Sequence, residues 1–203
     1  MSQESTPPRA PIPAYLPNAL TVLRLVLVPV FLVLLFVAPS DLGWRLGATV
    51  AFGVAILTDF FDGRLARKHN LVSNFGKIWD SIADKALTGM GFIGLSILGE
   101  LPWWITVIIL LREWGITVLR FWVLKYGTVM AANKGGKLKT VTQAVGLALF
   151  IPGLQYLPFW WGWVAWVVMI VAFALTVWTG LDYVLAAKKT RDAYHAAHPE
   201  EKK

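Results

Sequence analysis

The chain has 203 residues, of which 57% are hydrophobic and only 15% are charged, and its mean hydropathy is +0.59. Because soluble proteins usually carry about a quarter of charged residues, this composition excludes an ordinary water-soluble enzyme and a disordered protein. The 19 Lys and Arg outnumber the 12 Asp and Glu and give a net charge of +7. The complete lack of cysteine excludes a disulfide framework, a thiolate zinc site and a cysteine nucleophile.

The predicted elements begin with a solvated tail, residues 1–17, which holds five of the eleven prolines and includes a possible interfacial segment. Six apolar segments follow, and each is predicted to be a membrane-spanning helix, since about 20 mainly apolar residues cross a bilayer. Their predicted bounds are 18–38, 43–68, 76–99, 102–126, 138–157 and 160–187. Residues 188–203 are predicted to form a charged tail. The sequence therefore predicts an all-α integral membrane protein with one six-helix domain over residues 18–187.

The basic residues lie mostly on one side of these six predicted spans. Both terminal tails and the connections at 64–77 and 125–139 carry most of them, whereas the opposite turns carry Arg45 alone. By the positive-inside rule, the basic side faces the cytoplasm. We therefore expect both termini to be cytoplasmic and the protein to reside in the cytoplasmic membrane, and the positive charge does not require a nucleic-acid partner. Tryptophans at 103–104 and 160–163 lie on the other side and are typical of an interfacial aromatic belt.

Four aspartates lie at the basic ends of the second and third predicted spans. Asp59 and Asp62 are three residues apart, and Asp80 and Asp84 are four apart, so each pair shares one helix face. A short turn near residues 68–75 would bring the two pairs together at the cytoplasmic surface. Two divalent cations would compensate the mutual repulsion of four carboxylates, and oxygen ligands favour Mg²⁺ or Mn²⁺. Such a pair of ions is the usual arrangement for displacement at phosphorus.

The residues around these aspartates are suited to a phosphate-containing ligand. Gly63 and Gly76 leave space against the backbone for a flat or bulky group. Arg67 is placed to neutralise a phosphate there, and Ser73 to add a hydrogen bond. Two other interpretations remain open at this point. The aspartates could be helix-end charges paired with nearby Arg and Lys, or they could form a proton or ion pathway, which would leave the glycines unexplained.

The run from Asp59 to Asp84 resembles the signature of the CDP-alcohol phosphatidyltransferases. It reads D-x-x-D-G-x-x-A-R, then eight residues, then G-x-x-x-D-x-x-x-D, and it matches that signature without a gap or substitution. The resemblance implies a six-helix integral membrane enzyme, usually a homodimer, with a two-metal site that opens to the cytoplasm. Such an enzyme binds a CDP-linked lipid and passes its phosphatidyl group to an alcohol with release of CMP.

The same resemblance assigns roles to individual residues. Asp59, Asp62 and Asp80 would be metal ligands, while Asp84 would both ligate metal and act as general base on the attacking hydroxyl. The positions that would face the CDP-lipid are Asn18, Thr21, Gly63, Ala66, Arg67, Ser73 and Gly76.

A second basic set is formed by Arg112 and Arg120 in the fourth span and by Lys137 and Lys139 near the fifth. Arginines inside a membrane are unfavourable unless they are paired, and guanidinium groups bind phosphate oxygens bidentately. We therefore expect a phosphate-bearing acceptor.

Residues 112–120 and 136–140 resemble the branch of the family whose acceptor is glycerol 3-phosphate. The resemblance thus implies CDP-diacylglycerol and glycerol 3-phosphate as substrates. Phosphatidylglycerol and inositol phosphate are the alternative acceptors within the family. A proton-coupled transporter is the alternative from another class, and intramembrane prenyltransferases also use paired Asp motifs with Mg²⁺ but typically have more helices.

Overall fold

The computed structural model describes residues 16–69, 74–124 and 134–197, without the side chains at 16–21, 59–82, 84, 121, 124, 134, 195 and 197. The described chain contains six α-helices and one short 3₁₀ turn over Leu154–Tyr156. The helices are α1 (Leu16–Val37), α2 (Leu42–His69), α3 (Asn74–Ile97), α4 (Trp103–Leu124), α5 (Lys134–Phe150) and α6 (Phe159–Ala197). Since the described residues contain no strand, the predicted all-α class is confirmed.

The ends of α1 to α4 lie within two residues of the predicted bounds, whereas those of α5 and α6 differ more. Helix α5 ends at Phe150 because Pro152 and Gly153 follow, and Gly153 has a φ of +87°, which glycine adopts without strain. Helix α6 continues to Ala197, ten residues beyond the apolar segment. Its Ala- and Lys-rich continuation favours helix, so the end of the hydrophobic run is not the end of the helix.

Four pairs of consecutive helices run antiparallel, as the residues that meet across their interfaces show, and α4 runs parallel to α6, since Arg112 meets Thr179 and Arg120 meets Tyr183. The pairs are Phe31–Phe52 and Leu34–Gly47 for α1 and α2, Arg45–Glu100 and Phe52–Gly91 for α2 and α3, Ser96–Thr106 and Lys85–Thr117 for α3 and α4, and Leu149–Trp161 and Gln143–Thr176 for α5 and α6. The first turns of α1, α3 and α5 therefore lie at the same end of the bundle as the last turns of α2, α4 and α6. We call this end of the bundle the motif end, because the four aspartates lie near it. The opposite end, where Trp103 and Trp160 lie, is called the tryptophan end.

The core lies between the helices and is built from large apolar side chains such as Phe31, Phe52 and Phe92, which are fully buried. Helices α1 and α3 approach closely at Gly94, where a Cβ would lie 2.7 Å from Leu35 Cδ2. A larger residue at position 94 would require the buried Leu35 side chain to move.

The outer faces of the bundle are also apolar, with exposed fractions of 65% at Val50 and 68% at Leu111 and Trp178. Soluble proteins rarely expose large contiguous apolar surfaces. Within the described residues, one helical segment, Phe159–Tyr194, is both long and apolar enough to cross a membrane. Shorter apolar segments occur at Val22–Val37, Leu42–Thr58 and Lys85–Ile97.

A buried ion pair closes the tryptophan end. Arg45 is fully buried and donates from Nη1 and Nη2 to the two carboxylate oxygens of Glu100, at 2.8 and 2.6 Å. Its Nε also donates to the carbonyl of Ile151 at 2.5 Å, and its Nη2 donates to that of Phe150 at 3.3 Å. The guanidinium thus joins the start of α2 to the α3–α4 connection and satisfies carbonyls at the C-terminus of α5, which have no partner within that helix.

Candidate functional site

The four aspartates of the motif lie on two consecutive helices at the motif end. Asp59 and Asp62 lie in the last three turns of α2, and Asp80 and Asp84 lie in the first three turns of α3. Their side chains lie outside the described residues, so the structure gives their positions along the helices only.

The other predicted ligand-facing residues of this region belong to the same helix ends. Gly63, Ala66 and Arg67 follow the first two aspartates on α2, Gly76 lies in the first turn of α3, and Asn18 and Thr21 lie near the start of α1; the side chains at these positions are outside the described residues. Ser73 belongs to the segment 70–73, which is entirely outside them.

The register of α2 against α3 is set by contacts in the described part of both helices. Phe52 packs against Gly91, where a Cβ would lie 3.5 Å from Phe52 Cε2. Seven residues further along α2 is Asp59, and seven residues back along α3 is Asp84. In two antiparallel helices with equal rise per residue, positions 59 and 84 are therefore at the same level, and so, about one turn further, are positions 62 and 80.

A cluster of described side chains, here called the basic cluster, contains Arg112, Arg120, Lys85 and Lys139. It lies between α3, α4, α5 and α6 and extends from the middle of α4, at Arg112, toward the motif end, at Arg120. Arg112 donates from Nη1 to Glu113 Oε1 at 3.2 Å and from Nη2 to Thr179 Oγ1 at 2.8 Å. Its Nε is buried and has no hydrogen-bond partner among the described residues. The guanidinium is therefore held firmly but retains an unused donor.

Arg120, two turns further along α4, contacts Tyr183 on α6. Its Nη2 donates to the hydroxyl oxygen of Tyr183 at 2.8 Å, and its Cζ lies 5.0 Å from the centre of the Tyr183 ring. The Cζ of Arg112 lies 5.8 Å from the same ring centre. One buried aromatic ring thus contacts both arginines.

Two lysines complete the described part of this cluster. Lys139 is buried on α5 and donates to Glu113 Oε1, the same oxygen that accepts from Arg112. Lys85, the residue after Asp84, donates to Thr117 Oγ1 at 2.5 Å. Two of the four cations, Arg112 and Lys139, share the Glu113 carboxylate, whereas Arg120 and Lys85 are held by hydroxyl groups. Because a buried donor is unfavourable without an acceptor, the Nε of Arg112 favours binding of an anion beside it.

The structure separates one predicted member from this cluster and adds two that the sequence analysis missed. Lys137 is exposed on α5, and because two residues in a helix are about 200° apart, it lies on a different face from Lys139. Thr179 and Tyr183 on α6 were not predicted. The available signal was that these two polar residues are four positions apart, and therefore on one helix face, inside a long apolar span.

Comparison with known proteins identifies the family. The sequence profile of the CDP-alcohol phosphatidyltransferases matches residues 14–178. A protein named "Probable phosphatidylglycerophosphate synthase" from Mycobacterium tuberculosis is 51% identical over 175 residues, which are 86% of this chain and 82% of that protein.

Two further relatives bear the name CDP-diacylglycerol–glycerol-3-phosphate 3-phosphatidyltransferase. The one from Bacillus subtilis is 37% identical over 155 residues, 71% of this chain and 79% of that protein. The one from Rickettsia typhi is 38% identical over 181 residues, 85% of this chain and 97% of that protein. The chain therefore belongs to the CDP-alcohol phosphatidyltransferase family, as its aspartate motif indicated, and is a membrane-associated transferase of phospholipid biosynthesis.

Proposed function

We propose that this protein transfers the phosphatidyl group of CDP-diacylglycerol to glycerol 3-phosphate, forming phosphatidylglycerophosphate and CMP. The names of its relatives support both the reaction and the acceptor. The observation that carries the choice of acceptor is the group of three cations, Arg112, Arg120 and Lys139, that α4 and α5 bring together between the middle of the bundle and the motif end.

The aspartate motif provides the donor set for divalent cations. Four carboxylates at the adjoining ends of two consecutive helices would supply only hard oxygen ligands, which suit Mg²⁺ or Mn²⁺. Asp59, Asp62, Asp80 and Asp84 would hold two such ions. When bound, the ions supply charge compensation and polarise the diphosphate of the CDP-lipid.

The chain's own residues bind the CDP-lipid and activate the acceptor. Asn18, Thr21, Gly63, Ala66, Arg67, Ser73 and Gly76 form the proposed CDP-lipid site. Asp84 accepts the proton of the acceptor hydroxyl as its oxygen forms a bond to the phosphorus of the phosphatidyl group. The bond from that phosphorus to the bridging oxygen breaks, and CMP leaves with the electron pair.

The basic cluster holds the phosphate of the acceptor. Arg112 and Arg120 are fixed by contacts to α6, and Lys139 adds a third cation that Glu113 keeps in place. Lys137, exposed on another face of α5, is proposed as a secondary contact that attracts the phosphate at the entrance. An acceptor without a phosphate would offer no anionic oxygen to the unused donor of Arg112.

The bundle is proposed to cross the cytoplasmic membrane six times, with the motif end and both termini in the cytoplasm. The apolar outer faces and the concentration of basic residues at the motif end support this arrangement. By resemblance to the family, the active form is a homodimer.

The proposal is tested by measuring CMP release from CDP-diacylglycerol in detergent with Mg²⁺ or Mn²⁺ and a panel of acceptors. We expect release with glycerol 3-phosphate and little with phosphatidylglycerol or inositol phosphate. Release with only one of the latter would keep the family reaction and replace the acceptor. Failure to release CMP with any acceptor would contradict the enzymatic proposal and favour a transporter.

A further inference from the structure

Helix α6 is mostly apolar, yet two of its few polar side chains contact the arginines of the basic cluster. Thr179 and Tyr183 are both buried, with exposed fractions of 4% each, in a helix whose other faces are largely apolar. They are one helical turn apart and therefore lie on one face. That face packs on α4, which carries Arg112 and Arg120.

The hydroxyl of Thr179 is oriented as a hydrogen-bond acceptor toward Arg112. Its own proton is donated to the carbonyl of Leu175 at 2.7 Å, one turn earlier in α6. The lone pairs of Oγ1 are then available to Arg112 Nη2, which lies 2.8 Å away. This arrangement fixes one edge of the guanidinium and leaves the buried Nε without a partner among the described residues.

Tyr183 supports both arginines with one side chain. Its hydroxyl oxygen accepts from Arg120, and its ring lies 5.0 Å from Arg120 Cζ and 5.8 Å from Arg112 Cζ. Attraction between a cation and the ring face offsets part of the repulsion between the two guanidiniums. The ring therefore helps to keep the two guanidinium groups near each other.

Gly180, between these two residues, allows the close approach. A Cβ at this position would lie 3.0 Å from Arg112 Cγ and 3.5 Å from its Nε. Any larger residue would displace the arginine side chain by a few tenths of an ångström.

We infer that Thr179 and Tyr183 are positioning residues that hold Arg112 and Arg120 in the geometry that receives the acceptor's phosphate. The inference rests on the proposed function, because it assigns the ligand of the basic cluster to the phosphate of glycerol 3-phosphate. Neither residue touches the reacting atoms. Their loss therefore weakens acceptor binding and leaves use of the CDP-lipid intact.

The test compares conservative pairs of variants in purified full-length protein. Thr179→Val removes the hydroxyl and Thr179→Ser keeps it, while Tyr183→Phe removes the hydrogen bond to Arg120 and keeps the ring. The matched control is Tyr156→Phe, because the Tyr156 hydroxyl donates to the Ser40 carbonyl at the opposite, tryptophan end. KM is measured for each substrate, together with kcat, the thermal midpoint and calorimetric binding of glycerol 3-phosphate.

We expect Thr179→Val and Tyr183→Phe to raise the KM and the dissociation constant for glycerol 3-phosphate about tenfold, the usual effect of losing a hydrogen bond to a charged group. The KM for CDP-diacylglycerol should change less than twofold, and Thr179→Ser and Tyr156→Phe should keep the wild-type KM for the acceptor. Gly180→Ala should also weaken acceptor binding. Its matched control is Gly162→Ala on the same helix, where an added Cβ meets nothing within 4 Å.

Three results would overturn the inference: an unchanged acceptor KM in Thr179→Val and Tyr183→Phe, an equal rise in both KM values with a lowered thermal midpoint, or no binding of glycerol 3-phosphate to the wild type. If the wild type binds glycerol 3-phosphate without releasing CMP, and the variants bind it more weakly, the inference stands while the proposed reaction fails. The binding and turnover measurements thus separate the two.

Discussion

Asp84 is the residue to which two roles are proposed, metal ligation and proton abstraction, and both require its negatively charged carboxylate. Asparagine has almost the same shape but can neither carry the negative charge nor accept the proton. Asp84→Asn should therefore lower kcat by at least about 100-fold, while CDP-diacylglycerol binding is largely spared. Single-turnover CMP release and equilibrium binding of the CDP-lipid measure the two effects.

The matched control for this change is Asp41→Asn. Asp41 lies at the other end of the bundle, where its Oδ1 accepts from the Trp44 backbone N–H at 3.0 Å, and asparagine caps a helix equally well. Activity of Asp84→Asn within a few-fold of the wild type, as expected for the control, would refute the assignment of the base.

Arg112 is the residue with the clearest expected effect on the acceptor. Its guanidinium is held by Glu113 and Thr179, and its buried Nε has no partner among the described residues. Arg112→Ala should raise the KM for glycerol 3-phosphate by roughly 10- to 100-fold, since a charge-assisted contact to phosphate is lost. The KM for CDP-diacylglycerol should stay within about twofold of the wild type.

An exposed arginine provides the comparison for this variant. Arg191 pairs with its neighbour Asp192, and their side chains are 42% and 52% exposed, so Arg191→Ala should change neither KM. Equal losses for both substrates in Arg112→Ala would place Arg112 in the scaffold or at the nucleotide.

The identities of the site residues could be read from the sequence to different extents. The aspartates at 59, 62, 80 and 84 could be found because their spacing alone puts each pair on one helix face. The partners of Arg112 and Arg120 could not, because Thr179 and Tyr183 are more than 60 residues away and meet α4 only through tertiary packing. Lys137 and Lys139 are close together in the sequence, but only Lys139 is buried in the cluster, because the helix puts the two side chains on different faces.

At the scale of elements, hydrophobic length predicted the position of α1 to α4 closely and the ends of α5 and α6 less well. The apolar run stops near residue 187, but helix-favouring residues continue and α6 reaches Ala197. Conversely, Pro152 and Gly153 lie in an apolar stretch yet end α5 at Phe150. Hydropathy indicates which segments lie in an apolar environment. Where a helix ends depends instead on the backbone preferences of its residues, such as Pro and Gly, which end helices, and Ala and Lys, which continue them.

The buried ion pair between Arg45 and Glu100, here called the clamp, joins the start of α2, the α3–α4 connection and the end of α5. Arg45→Met would leave the largely buried Glu100 carboxylate without its ion-pair partner and would remove a hydrogen bond to each of the carbonyls of Phe150 and Ile151, of which the first keeps the Gly153 N–H. Breaking a buried ion pair typically costs about 3 kcal/mol or more, which corresponds to a fall in Tm of roughly 10 °C for a protein of this size. Thermal unfolding in detergent, followed by circular dichroism, measures the shift.

The exposed pair Arg191–Asp192 is again the control, because surface pairs contribute at most about 1 kcal/mol. If Arg45→Met and Arg191→Ala shift the Tm equally, the clamp does not stabilise the bundle. The kcat of Arg45→Met at low temperature should remain close to that of the wild type, since Arg45 lies at the end remote from the aspartates.

At the scale of the whole molecule, the net charge of +7 divides into two populations. Most basic residues lie in the terminal segments or in the helical turns at the motif end and indicate orientation, whereas Arg112, Arg120 and Lys139 lie among packed helices. The fold brings the second population together between the middle of the bundle and the end that holds the aspartates. A single count of charges could not have separated them, because the separation depends on which residues the helices enclose.

The lack of native cysteine makes the proposed orientation directly measurable. A single cysteine at exposed Gln155 should react with a membrane-impermeant maleimide in intact bacterial cells, because it lies at the tryptophan end. A single cysteine at exposed Lys189, at the motif end, should react only after the cells are permeabilised. The reverse pattern would invert the topology, and labelling of both positions in intact cells would contradict a membrane-crossing bundle.

The proposed reaction is tested most directly by following the phosphorus atom of the acceptor. Glycerol 3-phosphate labelled with ³²P is incubated with CDP-diacylglycerol, a divalent cation and the purified protein, and the label in the lipid phase is compared with the CMP formed. We predict that the label enters phosphatidylglycerophosphate with one CMP per labelled lipid, and that Asp84→Asn abolishes both products. CMP formation without any label in the lipid phase would contradict glycerol 3-phosphate as the acceptor.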